Sequence, residues 1–211
     1  GPMMAAVDEF DITVKGKGGH AASPHLAIDP VVISAQVISA VQTIISRSTD
    51  PVDKALISIT KINAGTAYNV IDDQVKMGGT IRTFRRETRA YIEKRLNELC
   101  KGIADAHGAE IKIEFDLVNK YPPTINSKEE TKFAANVAKD LVGDDKVITD
   151  IDPSMGGEDF SYLLEKKPGS YLYLGQGDAE HSAHLHTTKY DFNDNLLPCL
   201  LYTSPSPRDA S

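Results

Sequence analysis

The first candidate for chemistry is a histidine that follows a glycine-rich stretch. Residues 15–25 have the sequence Lys-Gly-Lys-Gly-Gly-His-Ala-Ala-Ser-Pro-His, which places His20 behind three glycines. Glycine permits sharp turns and close backbone approaches, and imidazole can transfer a proton or stabilise a developing charge near neutral pH. The stretch matches neither the dinucleotide-binding fingerprint nor the P-loop. Taken alone, the pattern is typical either of a presented catalytic histidine or of a turn with a solvated one.

A second candidate is a histidine cluster near the other end of the chain. His181, His184 and His186 fall within six residues, and imidazole is the commonest neutral metal ligand. No cysteine or carboxylate stands nearby at the spacing of a structural zinc site. The spacing leaves two interpretations open, a metal ligand and a solvated polar loop.

Three further polar positions have a structural and a functional interpretation each. Arg82, on a predicted strand, suits bidentate binding of a carboxylate, but it also suits a surface ion pair. Asn69 follows a glycine-containing turn, where asparagine is common without any function. Glu158 and Asp159 begin a predicted helix, where carboxylates complement the helix dipole.

Composition excludes several classes of partner. The chain has 211 residues, a formal net charge of −7 and 41% hydrophobic residues, which argues against binding to nucleic acid or to an anionic membrane. We see no apolar run approaching a membrane span and no signal-peptide layout. Cys100 and Cys199 form no metal or redox spacing, which favours a reducing compartment. We therefore expect a cytoplasmic protein.

The elements that would position these residues alternate clearly in the first part of the chain. Hydrophobic periodicity predicts strands at 10–14, 55–63, 74–84 and 111–117, and helices from Pro30 to about Ser46 and from about Glu87 to Gly108. The order strand, helix, strand, strand, helix, strand predicts a ferredoxin-like βαββαβ domain with both helices on one face of an antiparallel sheet. The fold class is therefore α/β in the broad sense, more narrowly α+β.

The later part of the chain has weaker signals. Tyr121-Pro122-Pro123 suggests a domain boundary, and a helix is predicted after Ser127. Short strands are predicted at Lys146–Asp150 and Ser170–Leu174, with a short helix from Glu158 to Glu165 between them.

Five motifs in order resemble one family. They are GKGGHAASPH at 16–25, GTAYNVI at 65–71, GGTIRTF at 78–84, MGGEDFSYLL at 155–164 and HLHTTKYDFND at 184–194. This order and spacing resemble the metal-dependent amidohydrolases of the aminoacylase/carboxypeptidase superfamily. The branch is that of hippurate hydrolase, N-acyl-amino-acid amidohydrolase and the indoleacetyl-amino-acid hydrolases.

The resemblance implies a domain layout. Residues 1–8 would leave the catalytic domain, 9–120 would form a lid and dimerisation domain, and 121–200 would be the C-terminal part of an incomplete α/β metallohydrolase catalytic domain. Residues 201–211 would be a disordered, foreign tail. The family's cysteine/histidine/aspartate metal motif and paired glutamates have no counterpart here, so we expect the chain to be a fragment.

The resemblance also implies residue roles. His20 would reach the partner subunit's active site and stabilise the oxyanion, while Asn69 and Arg82 would bind the carboxylate end of the substrate. His186 would be the last ligand of a site for two divalent metal ions, which could be zinc, manganese, cobalt or nickel. His181 and His184 have no counterpart and are expected to be loop residues.

The predicted function belongs to the full-length protein. We expect metal-dependent hydrolysis of the amide bond of N-acyl amino acids or small peptides by a homodimer, with this chain itself inactive. The alternative is a dimerisation or binding domain without catalysis. Asp72 departs from the family pattern, which usually has proline after Asn-Val-Ile.

Overall fold

The structure is a computed structural model that describes residues 1–116, 118, 120–176 and 180–197. The predicted tail at 201–211 and Cys199 lie outside the described residues.

The described chain forms two compact units. The first contains Gly1–Ile125 together with Asp152–Lys167, and the second contains Asn126–Ile151 together with the described residues from Pro168 onward.

The helices and strands follow one another as a mixed α and β chain. In chain order they are β1 (Pro2–Met4), β2 (Ala6–Lys15), β3 (Gly19–His20), α1 (Pro30–Thr43), β4 (Ala55–Asn63), β5 (Val70–Ile71), β6 (Gln74–Thr83), α2 (Arg86–His107), β7 (Glu110–Phe115), β8 (Thr124–Ile125), α3 (Lys128–Val142) and α4 (Phe160–Leu164). The α/β class and the βαββαβ order predicted for the first unit are confirmed.

The main sheet has the strand order β4-β6-β2-β7, and every neighbouring pair is antiparallel. Strands β2 and β6 pair along their whole length, with Lys15 opposite Gln74 at one end and Val7 opposite Arg82 near the other. Because side chains alternate along a strand, Val75, Met77 and Ile81 share the helix-covered face of the sheet. Arg82 lies on the opposite face.

Both helices pack on the same face of this sheet, as predicted. Asp29 begins α1 by accepting hydrogen bonds from the amides of Val31 and Val32, and Gly108 ends α2 with a φ of +65°. The helices and the sheet share a buried core made of Phe10, Ile12, Val14, Ile33, Val37, Val41, Ile44, Ile57, Val75, Met77, Ile81, Ile92, Leu96 and Cys100. Burial raises the pKa of the Cys100 thiol to about 11, so this cysteine is part of the core in its neutral form.

One sequence expectation needs correction at α1. The helical segment Pro30–Ser48, which includes one wider turn after α1, has 19 residues and is apolar enough by length and composition to cross a membrane. Core helices of globular domains have the same composition, and α1 buries Ile33, Val37 and Val41 against the sheet. Its opposite side also carries apolar residues, since Val31 and Val32 are exposed.

The two edges of the sheet differ in character. Strand β7 alternates exposed charged residues with half-buried apolar ones, and Lys112 pairs with Glu114 at 2.8 Å on its surface. Such charges discourage pairing with another strand. The other edge, β4, is nine residues long, and its C-terminal half is exposed and includes Ile62. Edge-to-edge pairing is therefore open at β4.

The second unit contains α3 but lacks a sheet within the described residues. Lys146–Asp150 and Ser170–Leu174 were predicted as strands, and both predictions are wrong: neither segment pairs with a neighbouring strand in the described part of the chain. At Tyr171 the backbone groups bond the side chain of Asn126 instead of a neighbouring strand. Asn126 donates to the Tyr171 carbonyl at 2.8 Å and accepts from its amide at 2.7 Å.

Candidate functional site

His20 lies on a two-stranded ribbon that continues beyond the end of the main sheet. Strand β3 pairs antiparallel with β5, with Gly19 opposite Ile71 and His20 opposite Val70. The amide of Ala21 also donates to the carbonyl of Asn69 at 3.0 Å. The stretches around His20 and around Asn69, which are 49 residues apart in sequence, are therefore neighbours in space.

Two of the three glycines before His20, Gly16 and Gly18, lie too close to neighbouring groups to carry a side chain. A Cβ on Gly16 would lie 2.0 Å from the carbonyl oxygen of Ile28, and one on Gly18 would lie 2.8 Å from both Asp73 Oδ1 and the Ile71 carbonyl. None of the three glycines has a positive φ. Glycine permits both sharp turns and close approaches. Here Gly16 and Gly18 allow this segment to pack closely against the backbone carbonyls of Ile28 and Ile71.

The His20 imidazole has one nitrogen engaged by the protein itself. Its Nδ1 accepts a hydrogen bond from the Ala22 amide at 3.0 Å. A nitrogen that accepts cannot carry a proton, so the neutral ring holds its proton on Nε2. The side chain is exposed. His20 therefore offers an Nε2–H donor to solvent or to a ligand.

Asn69 lies on a short loop that is closed by a side-chain hydrogen bond. Gly65 begins this loop with a φ of +84°, and Thr66 Oγ1 donates to Asp72 Oδ1 at 2.8 Å. Asp72, which departs from the family pattern, thus closes the loop through its carboxylate. The Asn69 side chain is exposed and makes no hydrogen bond to the described residues.

Arg82 is a half-buried cation without an ion pair among the described residues. Its Nη1 donates to Thr80 Oγ1 at 2.5 Å and to the Ile81 carbonyl at 3.4 Å. Burial lowers the pKa of the Arg82 guanidinium, and the nearby carboxylates of Glu9 and Asp8 act in the opposite direction. Of the two interpretations left open for Arg82, the surface ion pair is not found within the described chain, where the guanidinium makes hydrogen bonds to neutral oxygens.

His20 and Arg82 lie near opposite ends of the main sheet. The His20 ribbon leaves the sheet beyond Gln74, and Arg82 lies eight residues further along β6. At a rise of about 3.3 Å per residue, the strand separates them by roughly 26 Å. The structure therefore brings His20 together with Asn69 but brings neither of them to Arg82 within one chain.

His186 belongs to the second unit and has an unusual backbone. Its φ is +62°, an uncommon conformation for a residue other than glycine. Its side chain is exposed, and Thr187 Oγ1 donates to the His184 carbonyl at 2.9 Å in the same loop. Within the described residues, no group of three or more histidine, cysteine, aspartate or glutamate side chains could hold a metal ion. The residues present therefore do not fit a two-metal site by themselves.

Two residues that the sequence did not indicate, Asp73 and Thr80, make hydrogen bonds that position the predicted site residues. The Asp73 backbone carbonyl accepts a hydrogen bond from the Gly16 amide at 2.9 Å. Its carboxylate accepts another from the Gly18 amide, also at 2.9 Å. Thr80 holds the Arg82 guanidinium. A polar residue two positions before Arg82 on the same strand face was a usable signal for Thr80. Nothing local identifies Asp73, because its partners lie 55 and 57 residues away in sequence.

The geometry alone does not identify the protein family, but comparison with known proteins does. The family profile of peptidase family M20/M25/M40 matches residues 3–202. The chain therefore belongs to this family of hydrolases, which confirms the predicted resemblance.

Individual relatives agree with the family assignment. The chain is 40% identical over 197 residues to hippurate hydrolase of Campylobacter jejuni, covering 93% of this chain and 50% of the relative. It is 38% identical over 184 residues to N-acetylcysteine deacetylase of Bacillus subtilis, covering 87% and 47%. A solved structure of the Bacillus subtilis YXEP protein, described as a dinuclear metal binding peptidase of the M20 family, matches with a TM-score of 0.75 and 30% identity over 96% of this chain and 49% of that one. The chain spans about half the length of the curated relatives it matches.

Proposed function

We propose that the full-length protein is a metal-dependent amidohydrolase that cleaves the amide bond of N-acyl amino acids or small peptides. The family and the relatives support this substrate class, because hippurate and N-acetylcysteine are both N-acyl amino acids. Within this proposal, residues 9–120 act as the lid and dimerisation domain and 121–200 contribute to the catalytic domain.

The observation that carries the proposal is the presentation of His20. An oxyanion that forms during attack on an amide carbonyl needs a hydrogen-bond donor placed in advance. The Ala22 amide engages Nδ1 and leaves the Nε2–H of an exposed ring free to donate. His20 would donate this proton in a hydrogen bond to the developing oxyanion.

Arg82 and Asn69 would bind the substrate's carboxylate end. A half-buried guanidinium that lacks a carboxylate partner in the described chain can gain a bidentate, charge-assisted pair from a ligand. The Asn69 amide is exposed beside the His20 ribbon and can donate to the same class of ligand.

The separation of these residues favours a site shared by two copies of the chain. A small acyl amino acid cannot reach across roughly 26 Å of strand, so His20 and Asn69 of one chain would act with Arg82 of its partner. The exposed edge of β4 and the exposed apolar side of α1 are suitable surfaces for a homodimer. Sedimentation at micromolar concentration tests this assembly: a dimer supports it, and a monomer throughout would contradict it.

The metal site would be completed by parts of the full-length protein other than the described residues. His186 is the ligand that we assign to this chain, and zinc, manganese, cobalt and nickel are the candidate ions. The 211-residue chain is then expected to be inactive. As it stands, it would serve only as a dimerising or binding domain, which is the alternative function.

The direct test is a hydrolysis screen with a panel of N-acyl amino acids, comparing the full-length protein with the 211-residue chain. The full-length protein should be active and should lose activity with a chelator, while the shorter chain should be inactive in both conditions. Activity that is insensitive to chelator would contradict the metal-dependent mechanism, and activity of the shorter chain would contradict its proposed inactivity.

A further inference from the structure

Asp73 contacts the glycine segment that carries His20 through two different groups. Its carbonyl oxygen accepts from the Gly16 amide at 2.9 Å, and its carboxylate Oδ1 accepts from the Gly18 amide, also at 2.9 Å. The segment Gly16–Gly19 leads from the end of strand β2 at Lys15 into strand β3 of the His20 ribbon, whose first residue is Gly19.

Without the two hydrogen bonds to Asp73, this glycine-rich connection would be free to bend as a hinge. Glycines lack the side chains that restrict backbone rotation, and three of the four residues here are glycine. Across the connection, Lys17 exchanges two backbone hydrogen bonds with Ile28 at 2.9 Å each, which fixes the middle of the segment. Gly18 and Gly19 follow that point, and the Asp73 carboxylate binds the Gly18 amide immediately before the ribbon begins.

The contact is also sterically specific. A Cβ on Gly18 would lie 2.8 Å from Asp73 Oδ1, so the carboxylate occupies the space that any larger residue would fill. Asp73 itself is exposed and takes no part in the core. Its side chain can therefore be replaced without opening a cavity.

We propose that the Asp73 carboxylate is a positioning residue that locks the glycine hinge and so fixes where His20 is presented. This proposal rests on the function proposed above. Asp73 bonds the amides of Gly16 and Gly18 rather than the imidazole, so it would act through the backbone that leads into the ribbon.

The first test uses NMR on the 211-residue chain, which requires no activity. Asp73→Ala removes the acceptor, Asp73→Asn keeps a side-chain oxygen, and Asp72→Ala is the matched control because Asp72 bonds Thr66 instead. In Asp73→Ala, the Gly18 amide should exchange about fivefold faster, the effect of losing one typical hydrogen bond, and the backbone order parameters of Gly19 and His20 should fall. Asp73→Asn should restore both and Asp72→Ala should change neither. All variants should still unfold cooperatively, with melting temperatures within about 4 °C of the wild type, because the loss of one hydrogen bond of about 1 kcal/mol shifts Tm by that order. Unchanged Gly18 exchange and unchanged His20 order in Asp73→Ala would overturn the proposal.

The second test separates this proposal from the proposed function. In the full-length protein, Asp73→Ala should lower kcat about tenfold with little change in KM, because a misplaced donor is lost mainly in the transition state, and Asp73→Asn should recover most of kcat. If the NMR changes appear while His20→Ala leaves kcat unaltered, the hinge is supported and the catalytic role of His20 fails. If His20→Ala lowers kcat and Asp73→Ala does not, the positioning role fails alone.

Discussion

Mutation of His20 distinguishes a catalytic hydrogen-bond donor from a histidine that merely lies in a turn. In the full-length protein, His20→Ala should lower kcat by about 10²- to 10³-fold, the usual loss for one oxyanion donor. His25→Ala is a matched control, because His25 is an exposed histidine five residues further along the same motif. Steady-state kinetics on one N-acyl amino acid decides between them, and equal activities for the two variants would remove His20 from the mechanism.

Arg82 should behave differently from His20, because a carboxylate is present in both the substrate and the transition state. We expect Arg82→Ala to raise KM more than it lowers kcat. Glu9→Ala offers a comparison on the same face of the sheet, since Glu9 only influences the guanidinium through space. A loss confined to kcat in Arg82→Ala would contradict its assignment to ground-state binding.

Residue types and their order indicated which side chains to consider, but not how each is held. His20, Asn69 and Arg82 were identified from motifs, whereas their partners were not. The Ala22 amide binds His20 Nδ1 through a local turn, and Asp73 reaches Gly18 from 55 residues away in sequence. The glycines illustrate the limit. The sequence allowed both a turn and a close approach at these glycines. The structure shows a close approach, because a Cβ on Gly16 would lie only 2.0 Å from the Ile28 carbonyl oxygen.

At the scale of elements, a buried bidentate ion pair ties strand β2 to helix α2. Arg89 donates to both carboxylate oxygens of Asp8, at 2.6 and 2.5 Å, and the Asp8 side chain is only 5% exposed. Asp8→Ala leaves this arginine largely buried without its partner, so the free energy of unfolding should fall by about 3 kcal/mol. Urea denaturation measures the change.

Glu9→Ala is the control for this stability prediction, because Glu9 is the next residue on the same strand and is exposed. Its replacement should change the free energy of unfolding by about 0.5 kcal/mol or less. Equal destabilisation by the two variants would mean that the buried pair contributes nothing beyond the loss of a surface charge.

Elements with their own periodicity were predictable, and elements that depend on distant partners were not. The alternation in β2, β4, β6 and β7 predicted the sheet, because each strand buries one face on the helices. Lys146–Asp150 and Ser170–Leu174 have strand-like composition but pair with no strand in the described chain. A strand requires hydrogen-bonding neighbours, which local sequence does not supply.

For the whole molecule, we predict unequal protection along the chain. Residues 9–120 should fold autonomously, because their helices and strands bury a closed set of apolar faces. Amides in β2 and β6 should therefore exchange slowly, and those in 126–151, 168–176 and 180–197 should exchange faster. Native-state hydrogen exchange resolved by residue measures this, and equal protection in the two regions would contradict the predicted domain assignment.

The central claim is that His20 of one chain serves a site that contains Arg82 of another. Full-length His20→Ala and Arg82→Ala proteins should each be strongly impaired, and verified heterodimers of the two should regain up to about half of the wild-type activity. Recovery follows because one of the two shared sites then has an intact histidine and an intact arginine, whereas residues acting within one chain would leave both sites damaged. Absence of recovery in heterodimers of confirmed composition would contradict the shared site.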